Sequence, residues 1–231
     1  MVPWLVHLLT ASGVLLAWWA LEATIRSDYR LAFTWLGIAT VIDAVDGWLA
    51  RLARVKERIP AIDGARLDDI VDYLTFVFVP ACIVGRSGLV PTPWIPLIVA
   101  LILLSSAYGF SQTNAKTTDY FFTGFPSYWN IVVLYLWVLD WPPLVNGLVL
   151  IWLSAAVFYP IGYVYPSRTP ILRTTTIVLA SLWAVACAVI IWQLPDPPRV
   201  LVQTSVLFPI YYFVLSVALH RRRGPLESKP F

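Results

Sequence analysis

The sequence has 231 residues, 59% of them hydrophobic and 13% charged, where an average soluble domain has roughly 45–50% and about 25%. With 12 Trp, 18 Pro and so little charge, neither intrinsic disorder nor a long charged coiled coil is credible, and the chain belongs in a bilayer. Its net charge of +3 is too small to argue for a nucleic-acid partner, and a membrane protein uses its basic residues for orientation instead.

A spanning helix needs about 20 predominantly apolar residues, and eight runs approach that length: 2–23, 31–51, 67–84, 94–110, 126–139, 144–165, 171–194 and 200–219. The expected fold class is an all-α, polytopic integral membrane protein of about eight transmembrane helices. The first run lacks a basic flank and a small-residue cleavage site, so it reads as a retained helix and not as a signal peptide. The fifth run, opened by Pro126 at a first helical position, is fourteen residues long, or about 21 Å against a hydrocarbon core of about 30 Å. The preceding YFFTGF at 120–125 is therefore expected to dip into the membrane zone, where irregular backbone is tolerated when it lines a protein cavity. Short connections make residues 1–231 one domain with a basic tail at 220–231. Cys82 and Cys187 lie in apolar runs without C-x-x-C or His partners and read as packing residues.

Alternate loops divide the Lys and Arg residues twelve to four. Because cytoplasmic loops carry the excess, both termini and the second, fourth and sixth loops are expected in the cytoplasm.

An acidic residue within a spanning helix costs at least about 2.5–3.5 kcal/mol on insertion scales, so it marks function by default. Asp43 and Asp46 lie three apart near the end of the second run, and Asp68 and Asp72 four apart near the start of the third, each pair on one helix face. Helical rise places the pairs level on antiparallel neighbours, Asp46 near Asp68 and Asp43 near Asp72. Four facing carboxylates repel, and two divalent cations neutralise them; all-oxygen ligation without His or Cys favours Mg²⁺ or Mn²⁺ over zinc. Gly47, Ala50 and Gly64 on the same faces clear room for a bulky group, and a diphosphate suits a two-metal clamp. Helix capping accounts for Asp63 or Asp69 but not for Asp43 and Asp46, which sit at a helix C-terminus where the macrodipole disfavours anions. A cation pathway would spread its acids over several helices at mid-depth, whereas these share one depth near one surface.

DAVDGWLAR at 43–51 followed by GARLDDIVD at 64–72 resembles the signature of the CDP-alcohol phosphotransferase family, and Asp43, Asp46, Gly47, Ala50, Arg51, Gly64, Asp68 and Asp72 match all eight signature positions. The resemblance implies a six-helix core, here residues 1–165, with two additional helices in 171–219. It also implies a homodimer, two metal ions held by the four aspartates against the diphosphate of a CDP-linked donor, and Asp72 as general base for an alcohol that displaces CMP. Gly47, Ala50, Arg51 and Gly64 would border the CDP phosphates. His7 and Thr10 stand where relatives often show N-x-x-T near the cytidine, with His7 in place of the Asn.

Twelve residues separate Arg51 from Gly64, a longer spacer than most of the family has and similar to its bacterial phosphatidylcholine synthase branch. HLLTASG at 7–13 and KTTDYFFTGFPSYWN at 116–130 resemble that branch too. The implied partners are CDP-diacylglycerol, choline and the lipids of a bacterial inner membrane. Choline's quaternary ammonium donates no hydrogen bond and is best held by aromatic faces, at roughly 0.5–2 kcal/mol each. Tyr120, Phe121, Phe122, Tyr128 and Trp129 supply such faces; Tyr120, Phe121 and Trp129 are the expected choline contacts, with Asp119 as counter-ion. The competing enzyme is phosphatidylserine synthase or another CDP-diacylglycerol-dependent phosphatidyltransferase, and serine's carboxylate would call for a basic pocket. The competing non-enzyme is a divalent-cation transporter.

Overall fold

A computed structural model of the chain describes residues 2–113, 115, 117, 121–166 and 168–222. An uninterrupted apolar run forms α1 (Val2–Ile25), and the polar Arg26, Ser27 and Asp28 end it. Ser27 turns the chain with a φ of 59°. Asp28 then caps α2 (Tyr29–Leu52), accepting the Leu31 N–H at 3.0 Å. Ala17, Ala20, Ala23 and Ala32 are buried, and such small side chains let two helices pack closely without any hydrophobic drive from water.

After the one-turn α3 (Val55–Arg58), α4 (Gly64–Asp72) opens a helix that continues through a π-helical stretch (Tyr73–Phe78) into α5 (Val79–Arg86). The widened turns end just before Pro80, whose ring would crowd the Phe76 carbonyl in a regular α-turn and which has no N–H to offer it. The chain then forms α6 (Ile95–Ser111), β1 (Phe121–Thr123), α7 (Trp129–Leu139), α8 (Pro143–Ala156), β2 (Gly162–Val164), α9 (Arg173–Trp192), α10 (Arg199–Ser205) and α11 (Leu207–Arg222). Five helical units among the described residues, at 2–25, 29–52, 92–111, 173–192 and 199–222, are long and apolar enough to cross a membrane. Phe33, Leu36, Ile83, Ile98, Ile102, Trp129 and Leu150 fill the core. Trp4, Leu8, Trp18, Trp152, Leu182 and Trp192 point outward and stay exposed, as lipid-facing side chains must.

Two expected boundaries are corrected. The fifth helix starts at Trp129, and Pro126 does not open it, because Ser127 takes a φ of 56° that no α-helix admits. That leaves eleven residues, about 17 Å. The sixth ends at Ala156 and not at 165; Gly162, Tyr163 and Val164 instead pair antiparallel with Thr123, Phe122 and Phe121. Aromatic and β-branched residues suit that pleated pairing, and the periodicity of an apolar run does not distinguish it from a helix end.

The outer edge of β2 is closed by one face of α11. Tyr212 donates to the Val164 carbonyl at 2.9 Å, the Val164 N–H donates to Ser216 Oγ at 3.0 Å, and the Gly162 N–H donates to His220 Nδ1 at 3.1 Å. The three side chains are spaced four apart, so they form one stripe that satisfies backbone groups a lone hairpin would leave unpaired.

Candidate active site

The carboxylates meet where the end of α2 passes the start of α4. One oxygen from each of Asp43, Asp68 and Asp72 lies within 4.8 Å of the others, and all three residues are half-buried. Asp46 is 5% exposed and turned to α1, where Thr10 donates to its Oδ2 at 2.6 Å. The donors of the triad are all carboxylate oxygens, which fits a hard divalent cation and does not fit a zinc site built on Cys or His.

Close packing of α1 brings these parts together. A Cβ at Gly13 would collide with the Val71 side chain, which precedes Asp72. A Cβ at Gly64 would lie 3.1 Å from His7 Cε1, so Gly64 makes room for the imidazole. His7 is buried, and its Nε2 has no hydrogen-bond partner among the described residues; such a group calls for a ligand or a water. Thr10, expected beside the cytidine, gives its proton to Asp46 and thus orients a carboxylate. Gly47 is covered by Arg51, whose Nη1 would be 3.5 Å from an added Cβ. Ala50 is half-buried and Arg51 exposed. Asp63 is the N-cap of α4, accepting from Ala65 and Arg66 N–H at 3.1 and 3.3 Å. Asp69 lies in the body of that helix and is no cap.

The aromatic segment is arranged differently from the expectation. Asp119 and Tyr120 lie outside the described residues. Phe121 is buried in a cluster with Val164 and Leu219. Trp129 is fully buried, donates its indole N–H to Ser106 Oγ at 2.7 Å and packs edge-on against Phe125 at 5.2 Å. Both faces that sequence reasoning offered to choline are thus core surfaces, because the two residues fall on the inner sides of β1 and α7.

The half-buried Tyr128, at the N-cap of α7, stands closer to the chemistry. Burial pushes its phenol well above the ordinary value, and the charges of Asp43 and Asp72 and the Tyr165 phenol act in the same direction. Tyr128 is also hydrogen-bonded to Tyr212 of α11. Tyr165 stacks on Phe122 at 4.7 Å, with the Arg168 guanidinium 5.8 Å over its ring. Tyr128 belongs to the segment the sequence singled out. Tyr165 and Tyr212 carry no motif that could have flagged them.

No family model matches the chain. It is 37% identical to a phosphatidylcholine synthase of Legionella pneumophila over 92% of its own length and 86% of that protein's. A phosphatidylcholine synthase of Pseudomonas aeruginosa is 39% identical over 83% of this chain and 81% of its own. One of Borreliella burgdorferi is 34% identical over 94% and 92%.

Proposed function

The chain belongs to the phosphatidylcholine synthase family, and from that membership we propose that it transfers the phosphatidyl group of CDP-diacylglycerol to choline, releasing CMP. The observation that carries the reading is the meeting of Asp43, Asp68 and Asp72 within 4.8 Å at the end of a lipid-embedded bundle.

In this mechanism Asp43, Asp46, Asp68 and Asp72 hold two divalent cations, Mg²⁺ or Mn²⁺, with Thr10 orienting Asp46. When bound, such cations neutralise the diphosphate and stabilise charge on the departing CMP. Asp72 acts as general base on the choline hydroxyl; its oxygen forms a bond to the phosphorus that bears diacylglycerol, and the bond from that phosphorus to the CMP oxygen breaks. The small Gly47, Ala50 and Gly64 let the donor approach. Arg51 balances its phosphate charge, and the unpartnered Nε2 of His7 supports a contact to the donor's cytidine side. Nothing in this mechanism needs a second copy of the chain.

An acceptor screen tests it. With CDP-diacylglycerol as donor, choline should give a phospholipid and equimolar CMP, while serine, inositol and glycerol phosphate give little; preferential use of serine would replace the assignment.

The donor is made inside the cell, so the carboxylates must face the cytoplasm of a bacterium's inner membrane, together with both termini and residues 52–63. The twelve-to-four division of Lys and Arg supports this orientation. In intact cells Lys56→Cys should resist a membrane-impermeant thiol reagent until the membrane is opened. Ready labelling of closed cells would invert the topology.

A further inference from the structure

We propose that Tyr128, tethered by Tyr212 of the last helix, is the ring that selects the acceptor's quaternary ammonium, so that α11 completes the acceptor side of the carboxylate centre. The proposal rests on choline being the acceptor and says which residues of this chain discriminate for it.

The first turn of α7 is wedged against both carboxylate-bearing helices. Asn130 Nδ2 donates to Thr40 Oγ1 at 2.9 Å, one turn deeper in α2 than Asp43. The ring of Phe76, one turn beyond Asp72, has its centroid 6.0 Å from that of Tyr128. Tyr128 precedes Asn130 by two residues and so lies toward the level of Asp43 and Asp72, which agrees with the effect of both charges on its phenol. Only two carbons separate the hydroxyl of choline from its nitrogen. A hydroxyl presented to Asp72 therefore brings the ammonium to the neighbourhood of Tyr128.

The hydrogen bonding around Tyr128 suits a trimethylated cation. Tyr212 gives its own proton to the Val164 carbonyl at 2.9 Å, so its oxygen accepts from the Tyr128 hydroxyl. Tyr128 then shows the acceptor a ring and no free donor. A quaternary ammonium requires nothing more than a π-face in a negative field, and Asp43 and Asp72 supply the field. Ethanolamine, with three N–H donors to satisfy, would lose hydrogen bonds to water at the same place. The neighbouring Tyr165 is not equivalent, because the Arg168 guanidinium already lies over its face. Tyr212 is a positioning residue: it touches Tyr128 and β2, and it links the acceptor side to a helix far from the aspartate signature.

The test uses the full-length chain and four variants, with apparent constants measured for choline and for CDP-diacylglycerol. Tyr128→Leu should raise the choline constant about 5–30-fold, the loss of one cation–π contact, and leave the donor constant within about twofold. Its preference for choline over ethanolamine should shrink by a similar factor. Tyr128→Phe and Tyr212→Phe each break the same phenol contact and should each raise the choline constant a few-fold. The double Phe variant should be no worse than the more affected single variant, since one bond is removed once. An unchanged choline constant in Tyr128→Leu overturns the proposal, and so do Phe effects that multiply. If Tyr128→Leu does not accumulate, the three Phe variants decide by themselves. A wild type that makes no lipid from choline would fail before any variant is made, and that result overturns the acceptor reading instead.

Discussion

Turnover is expected to fall at least about 100-fold, close to 3 kcal/mol of lost transition-state stabilisation, when Asp43, Asp68 or Asp72 is replaced by Ala. The three carboxylates share a space 4.8 Å across, so deleting one removes a cation ligand and leaves the diphosphate charge opposed by the remaining anions. Asp72→Ala also removes the proposed base and should be the most severe. Asp46→Ala should belong with them: its carboxylate is buried, and its loss leaves the Thr10 hydroxyl, now 2.6 Å from Asp46 Oδ2, facing a cavity. Asp63→Asn is the control, since Asn caps a helix as well as Asp does and the ion pair it would lose, to Arg66, is exposed. Single-turnover CMP release from each variant, alongside wild type treated with a chelator and resupplied with Mg²⁺ or Mn²⁺, is the measurement. Wild-type activity after exhaustive chelation would remove the metal from the mechanism, and a fully active Asp68→Ala would remove that residue from the centre.

Gly124→Ala is expected to destabilise the protein by about 2–4 kcal/mol, more than any other single-methyl addition proposed for the hairpin. Gly124 has a φ of +77°, and a Cβ there would overlap the backbone carbonyl oxygen of Val157. Neither strand can yield, because the Gly124 N–H is bonded to the Ile161 carbonyl at 2.9 Å and the Phe125 N–H to the Ala156 carbonyl at 3.1 Å. The damage should reach the acceptor side first: β1 and β2 hold Val164, and Val164 holds Tyr212. Thermal unfolding in detergent, read beside Gly88→Ala, separates local clash from a general glycine effect, since Gly88 has a φ of +73° but open space around it. Equal melting temperatures for the two variants would show that the Val157 contact is unimportant.

Local chemistry determined much of this protein before any tertiary contact was considered. Composition alone places it in a bilayer, and apolar runs locate its helices to within a few residues. The spacing of Asp43, Asp46, Asp68 and Asp72 marks the active centre because charge inside a membrane helix is too costly to be incidental. All of these signals are periodic or local, and two consecutive antiparallel helices have little freedom in how they meet. The hairpin of Phe121–Thr123 with Gly162–Val164 was not legible, since its strands are three residues long and lie about forty apart in sequence. The roles of the aromatic residues were not legible either. Trp129 and Tyr128 are neighbours of similar composition, yet one faces the core and the other the carboxylates, because the left-handed Ser127 starts α7 at Trp129 and so sets the rotation of its first turn. Tyr212 reaches Tyr128 only because Tyr212, Ser216 and His220 line up to close the edge of β2. That alignment satisfies backbone groups which lipid cannot hydrate, and which partner satisfies them is decided by packing across the whole chain.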